Sequence, residues 1–288
     1  PNVTNVFQQK DVLHPFVGSL YNRTNAYKKM GIDGFYTTDN TQTPYPEKYQ
    51  GAAKDGDYPT DANAYRFLTS KIDSAKSNQS QFLQLMTMQN HMPYTAGEYP
   101  NNHYKVKTPA VSKSTKKQIE SYLEGVHRSD VALGKLIKRL DASERPITMV
   151  LYGDHWPGVF TFVDAQAAAK VAHETDYFVY QNPAAKKLAG KTPAATRAVA
   201  SPSDFPALTF EATNTKVSPY FALQTAITKQ MPAFANYTRN TFVDEQGKTI
   251  KEKQLTKKQQ ALLTDLKYVQ YDLSAGKNYL GKQFLAVK

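Results

Sequence analysis

The sequence predicts an α/β fold, a mostly parallel sheet flanked by helices with a small antiparallel β appendage towards its C-terminal end, and three stretches predict it. The apolar run Gln81 to Gln89 is short and ends at the polar Asn90-His91-Met92-Pro93, the pattern of a buried strand that delivers a loop. From Ser114 to Leu140, apolar residues at Ile119, Tyr122, Leu123, Val126, Leu133, Leu136, Ile137 and Leu140 follow helical spacing. Pro146 to Tyr152 is then an apolar, β-branched run that stops at Gly153-Asp154-His155. Strand, helix, strand in that order implies a right-handed crossover between parallel strands, whose carboxyl ends share one edge of the sheet. His91, Asp154 and His155 are then expected on that edge.

The remaining elements follow in order. A loop-like segment carrying His14, Tyr21 and Arg23 enters a helical stretch from Asn25 to Met30. The long helix has a candidate break near Ser129-Asp130, where two residues that compete for backbone hydrogen bonds adjoin. Asp176 to Tyr180 is a third candidate strand, after a loop containing His173. Ser218-Pro219 opens a helix towards Gln230, with Ser as N-cap and Pro at the first helical position. The α/β pattern then fades: Thr241 to Ile250 reads as a hairpin around Gln246-Gly247, and Tyr268 to Asp272 as a later strand. The expected division is a main domain over residues 1–235 and a small antiparallel subdomain over 236–288.

Composition narrows the function classes. With 40% hydrophobic residues over 288 positions the chain can build a sizeable core, and no apolar run reaches the roughly 18 to 20 residues of a membrane helix. It begins with PNVTNVFQQK, without an initiator Met, a basic n-region or an apolar h-region, and is expected to be part of a longer protein. There is no Cys, so disulfides, thiol nucleophiles and thiolate metal sites are excluded, and any metal must rest on His and carboxylates. Export from a cell that does not rely on disulfides fits. The net charge of +11 raises the question of a polyanion. However, the lysines are scattered (Lys105, Lys107, Lys113, Lys116, Lys117, Lys186, Lys187) and no nucleic-acid-reading motif is present, so nucleic acid is not expected as a partner. A solvated surface or one suited to anionic lipids and wall polymers remains.

Three clusters carry chemistry. Asp154-His155 at a strand end can point a carboxylate and an imidazole at one divalent cation, or can be a hydrogen-bonded loop feature. Trp156, the single Trp, is a pocket wall or a cap on the core. His91 follows a strand, where it can hold an anionic oxygen, shuttle a proton or simply bond to backbone. His14, Tyr21 and Arg23 combine an imidazole, an aromatic wall and a guanidinium that can grip a phosphate or sulfate ester through two hydrogen bonds. A surface ion pair is the plainer role for Arg23.

Several ordered segments together resemble the sulfatase family of the alkaline phosphatase superfamily, and within it the lipoteichoic acid synthase branch of phosphoglycerol transferases. They are LHPFVGSLYNRTNAYKKMGIDGFY (Leu13 to Tyr36), LQLMTMQNHMPY (Leu83 to Tyr94), the helix with HRSDVALGKLIKRL, and MVLYGDHWPG (Met149 to Gly158). HETDYFVY (His173 to Tyr180) and SPSDFPALTFEATN (Ser201 to Asn214) look like later family segments, though His173 has no assigned role. The resemblance implies that Asp154 and His155 are two ligands of one divalent cation, manganese first, with magnesium or zinc as alternatives. It implies that His14, Tyr21, Arg23 and His91 face a glycerol-phosphate group of a lipid head group or polymer. Where these synthases commonly carry Trp before Asn-Arg, this chain has Tyr21, which bears on head-group selectivity.

The resemblance also implies an absence. The family's metal-ligating Glu and Thr nucleophile lie upstream of the His-to-Arg segment, whereas here thirteen residues precede His14, no Glu occurs before Glu47, and Thr4 lacks the surrounding motif. The expected parent is a membrane-anchored enzyme on the extracellular face of a Gram-positive-type envelope. Its metal-activated Thr would attack a lipid-linked glycerol phosphate and pass the phosphoglycerol to a growing polymer. A hydrolase of sulfate or phosphate esters and a non-catalytic anion-binding module are the alternatives. Three expectations follow for this chain alone: no useful turnover; His91, Asp154, His155 and Arg23 gathered at one sheet edge; and weak metal affinity beside a pocket that draws anions through Arg23 and through protonation of His14 and His91.

Overall fold

A computed structural model describes residues 3–51, 58–164, 166–190, 197–235 and 240–287. The chain divides into two compact units, Asn2–Ala142 with Pro157–Asp164, and Ser143–Trp156 with Ala165–Lys288.

The first unit is built on a parallel sheet of order β2-β1-β3, with β1 at Gln9–Leu13, β2 at Gly34–Tyr36 and β3 at Gln81–Leu85. Val12 and Leu13 of the central strand are fully buried, as a strand covered on both faces requires. The helix α1, Arg23–Lys29, joins β1 to β2, and α2, Asp61–Ser74, precedes β3. Thr60 caps α2 by accepting from the Asn63 amide. On α2, Phe67 stacks on Tyr49 with centroids 5.0 Å apart and meets Tyr45 and Tyr36 edge-on, which with Leu13 closes one layer of core. Lys71 bonds the buried Asp11 carboxylate at 2.8 Å and the Tyr36 hydroxyl at 2.7 Å, so the buried carboxylate is not left unpaired.

The long amphipathic helix is α3, Lys113–Asp141, capped by Ser112. It runs unbroken through Ser129-Asp130, contrary to the candidate break. The Ser129 hydroxyl is engaged by Asp61 and Asn90 rather than by its own helix backbone, so it does not compete with the ladder.

In the second unit β4, Thr148–Tyr152, pairs antiparallel with β5, Tyr177–Gln181, in a two-stranded sheet among the described residues. The expected parallel pairing of β4 through a crossover from β3 is therefore not seen. Periodicity shows that a strand is buried but not which neighbour completes its ladder. Asn182 ends β5: it accepts from the Ile147 and Ala185 amides and donates to the Ser143 and Arg145 carbonyls, which caps α4, Pro183–Ala189. Next come α5, Phe205–Thr213, and the predicted helix α6, Pro219–Gln230, with Ser218 at its N-cap.

Three antiparallel strands follow, β6 at Ala233–Phe234, β7 at Thr241–Val243 and β8 at Thr249–Lys251. The hairpin turns at Gly247, whose φ of +74° suits a residue without Cβ. The final helix α7, Lys257–Ser274, replaces the strand expected at Tyr268 to Asp272. Leu263, Leu266 and Val269 are buried at a spacing of three, and Leu263 and Leu266 pack with Ile227, Met231, Phe242 and Leu255. A reciprocal cap between Thr256 and Gln259 starts the helix. The β-favouring Tyr-Val-Gln-Tyr run is outvoted by that packing.

Candidate functional site

Register decides where the first polar cluster sits. Leu13 pairs with both Tyr36 and Leu85, so the three strands of the first unit end together. His14 follows immediately, its amide donating to the Tyr36 carbonyl at 2.9 Å, while the Met86 amide donates to the Leu13 carbonyl at 3.0 Å. The His14 ring is buried, with Nδ1 at 3.3 Å from the Met86 carbonyl and Nε2 at 3.2 Å from an Arg23 nitrogen. A guanidinium can only donate, so Nε2 accepts and the proton resides on Nδ1, which donates to Met86. Burial, the Arg23 charge and His91 lower the His14 pKa, with burial the largest cause, against an opposing pull from the Met86 bond and Asp39. His14 is thus a neutral acceptor that aims Arg23, which corrects the expectation of a protonated, anion-attracting His14.

Arg23 opens α1 directly after two non-glycine residues in the left-handed region, Tyr21 with φ 58° and Asn22 with φ 57°. Such conformations cost on the order of 1–3 kcal/mol each and persist only where their surroundings enforce them. Here they turn the chain so that the Arg23 guanidinium lies 4.9 Å from the centroid of the exposed Tyr21 ring. The loop before them is tied by Asp39, which accepts from the Gly18 amide at 2.8 Å, the Ser19 amide at 3.2 Å and the Thr37 hydroxyl at 2.6 Å. These bonds, Thr37's first, hold the Asp39 carboxyl at a pKa of about 2. Gly18 is required there because a Cβ would stand 2.7 Å from the Thr37 methyl.

His91 is exposed on the loop after β3. Its Nδ1 donates to the Met92 carbonyl at 2.8 Å, which leaves Nε2 outward. An aromatic line joins it to His14: His14 meets Phe16 edge-on, Phe16 meets Tyr58 at 5.7 Å, and Tyr58 meets His91 at 5.5 Å. The Tyr58 hydroxyl also donates to the Met92 carbonyl at 2.9 Å. His14, Tyr21, Arg23 and His91 therefore belong to one corner of the first unit. Phe16, Asp39 and Tyr58 were missed by sequence reasoning. Thr37-Thr38-Asp39 at a strand end was a usable signal for Asp39, whereas nothing local marks Tyr58, 33 positions from the ring it touches.

The second cluster lies at the end of β4 in the other unit. The Gly153 amide donates to the Asp176 carbonyl at 3.2 Å and its carbonyl accepts from Thr175 at 2.7 Å, pinning the turn. Asp154 and His155 project outward with side chains 82% and 68% exposed. His155 donates through Nδ1 to the Trp156 carbonyl at 2.7 Å, so Nε2 is the free nitrogen, 3.5 Å from Asp154 Oδ2. A backbone carbonyl on one imidazole nitrogen is the second-sphere arrangement of a ligating His, and the carboxylate beside the other nitrogen could serve as a co-ligand. Yet no three His, Asp or Glu side chains converge as a metal site among the described residues. Two donors do not displace enough water to hold a cation firmly, so the described set by itself does not fit a resident metal. His173 is exposed and bonds through Nδ1 to the Ala169 carbonyl at 2.6 Å, in keeping with a loop role.

The sulfatase family model matches residues 1–215. The chain belongs to the sulfatase family. The chain is 26% identical over 184 residues to a putative cyclic beta-1,2-glucan modification protein of Rhizobium meliloti, covering 59% of the chain and 27% of that protein. It is 28% identical over 167 residues to the capsular polysaccharide biosynthesis protein RkpI of the same organism, covering 58% and 27%. The chain thus spans about a quarter of the length of the curated relatives it matches. Among solved structures, Streptococcus pyogenes phosphoglycerol transferase GacH in complex with sn-glycerol-1-phosphate superposes with a TM-score of 0.77 at 25% identity, over 99% of this chain and 67% of that one. The family, the α/β fold with a parallel sheet flanked by helices, and the structural likeness to a phosphoglycerol transferase all agree with the sequence reading. No described helix is long and apolar enough to cross a membrane.

Proposed function

We propose that this chain is the C-terminal part of the catalytic domain of a phosphoglycerol transferase acting on the extracellular face of a bacterial membrane. The observation that carries the proposal is the His14–Arg23 pair at the carboxyl edge of the parallel sheet. The buried neutral imidazole takes one guanidinium hydrogen bond and leaves the remaining N–H groups for an anionic ester. Arg23 would grip the phosphate, Tyr21 would wall the glycerol, and His91 would reach the ester through Nε2. The likeness to GacH, described with sn-glycerol-1-phosphate, supports that choice of head group, and the two polysaccharide-related relatives support an envelope polymer as the setting.

Asp154 and His155 are proposed as two of the donors of a divalent cation, manganese or else magnesium or zinc. The remaining Glu and Thr donors would lie in residues preceding this chain in a longer, membrane-anchored protein. Chemistry on a covalent Thr intermediate then belongs to that longer protein. This chain's own contribution is to bind and orient the ester. The second reading, a hydrolase of sulfate or phosphate esters, is favoured by the family model itself and uses the same corner.

Calorimetry of the chain with sn-glycerol 1-phosphate, inorganic sulfate and inorganic phosphate tests the reading. Binding of the glycerol ester in preference to both inorganic anions, lost in Arg23→Ala, supports a phosphoglycerol site. Sulfate preferred over the glycerol ester would shift the assignment to the hydrolase, and metal-dependent turnover of a phosphodiester by this chain alone would overturn the division of labour.

A further inference from the structure

His91 is exposed, yet the two residues before it are held from beneath by a buried polar cluster that the proposed chemistry does not use. Gln89 is 5% exposed, and its Oε1 accepts from the Asp61 amide at 2.7 Å while its Nε2 donates to the Gly125 carbonyl at 3.2 Å. The Ser129 hydroxyl donates to Asp61 Oδ2 at 2.6 Å and accepts from Asn90 Nδ2 at 2.8 Å. A single Ser thereby links the first residue of α2, the middle of α3 and the residue next to His91. The fit is close: a Cβ on Gly125 would lie 2.4 Å from Asn90 Oδ1 and 3.3 Å from the Tyr99 hydroxyl.

Two oxygens inside this cluster, Asp61 Oδ1 and Asn90 Oδ1, have no donor among the described residues. A buried carboxylate oxygen left without a donor is costly, whereas a protonated Asp61 would carry one further donor for its surroundings. Asp61 is 3% exposed, and burial raises its pKa against the opposing bonds from Ser129, Thr87 and the Gln89 segment. The cluster is a buried polar lock, which holds the loop by directional bonds that an apolar core would not supply.

We infer that Asp61 and Ser129, together with the absence of a side chain at Gly125, are positioning elements for His91. They hold Gln89 and Asn90 so that His91 Nε2 is presented at the anion corner. This deepens the proposed function, since it takes His91 to be a substrate-facing residue.

The inference is tested by following the His91 ring resonances in the ligand-free chain, assigned by their loss in His91→Gln, alongside affinity for sn-glycerol 1-phosphate. Gly125→Ala and Asp61→Leu should displace the His91 signals and weaken binding on the order of tenfold, the scale of loss from small misplacement of a contact group. Asp61→Asn, a neutral group with a donor and an acceptor, should leave both close to wild type. Leu136→Ala, a core change elsewhere on α3, should lower the melting temperature without moving the His91 signals. Unmoved His91 signals in Gly125→Ala and Asp61→Leu would overturn the inference, as would signals displaced as far in Asp61→Asn as in Asp61→Leu. If the chain binds no sn-glycerol 1-phosphate, the functional reading fails, while the ligand-free His91 signals still decide the positioning role.

Discussion

The corner around Arg23 and the tip around Asp154 are both polar clusters at strand ends, but they are organised differently. At the first, a buried His, a left-handed pair of residues and an aspartate tied to two amides fix the guanidinium from several directions. At the second, one backbone bond and a strand-end turn orient two side chains that otherwise stand in solvent. The contrast teaches that preorganisation is local to the first cluster. An anion site needs only fixed donors, which a single unit supplies. A cation site needs several converging donors, which the tip does not gather by itself.

The largest effect is expected from the scaffold of the second unit. Arg197 is partly buried between Asp204 at 3.3 Å and Glu245 at 2.8 Å and also donates to the Met231 carbonyl at 2.8 Å. Arg197→Ala leaves the buried Asp204 without its cation and should cost about 3–5 kcal/mol, read as a large fall in melting temperature. Glu245, with a carboxylate 42% exposed, should matter less. If Arg197→Ala melts as wild type, the second unit is not organised around this pair, and the stability contrast between its core and its exposed tip disappears.

Next comes binding at the first cluster. Charge-assisted hydrogen bonds are worth about 1.5–3 kcal/mol, so Arg23→Ala should weaken sn-glycerol 1-phosphate roughly tenfold to a hundredfold, and Arg23→Lys should recover only part because the forked donor set is lost. Calorimetry reads both. Full recovery by Lys would mean that charge alone, rather than the His14-aimed fork, does the binding.

The pH response of the first cluster follows from the burial of His14. His14 has a folded pKa below its ordinary 6.5, so the unfolded chain takes up its proton first as pH falls. Its stabilising contribution is therefore full above pH 6.5 and is lost as pH drops towards and through the folded value, with a slope of at most about 1.4 kcal/mol per pH unit. Melting temperatures between pH 5 and 7.5 should fall on acidification less steeply in His14→Gln than in wild type. Parallel curves would show that His14 is not buried as a neutral ring.

Much of this was legible in the sequence for physical reasons that also mark its limits. Apolar periodicity and capping residues placed β3, α3, β4 and α6, because burial and end-capping act on neighbours in the chain. The anion corner was legible as a set of residue types, since His14, Tyr21 and Arg23 lie within ten positions. Its working was not, because the tautomer of His14 is fixed by the Met86 carbonyl 72 residues away, and Tyr58 reaches His91 only through the fold. Strand partners were misjudged at β4, and α7 was read as a strand, where long-range packing overrode a short β-favouring run.

The smallest expected effect is at the tip, and it separates the two clusters most sharply. Because Asp154 and His155 are exposed and only their mutual approach and one backbone bond would be lost, Asp154→Asn and His155→Ala should change stability by no more than about 0.5 kcal/mol. Manganese titrated into the chain should bind weakly, since two donors must compete with a complete hydration shell. In the longer protein proposed above, with its Glu and Thr donors, the same titration should show tight binding, and there Asp154→Asn should weaken it strongly. The pair of substitutions is informative because it carries almost no folding penalty, so a change in metal affinity cannot be ascribed to unfolding. Tight manganese binding by the present chain, equal to that of the longer protein and abolished by Asp154→Asn, would show that the ligand set is already complete and that the two clusters do not differ in the way their exposure implies.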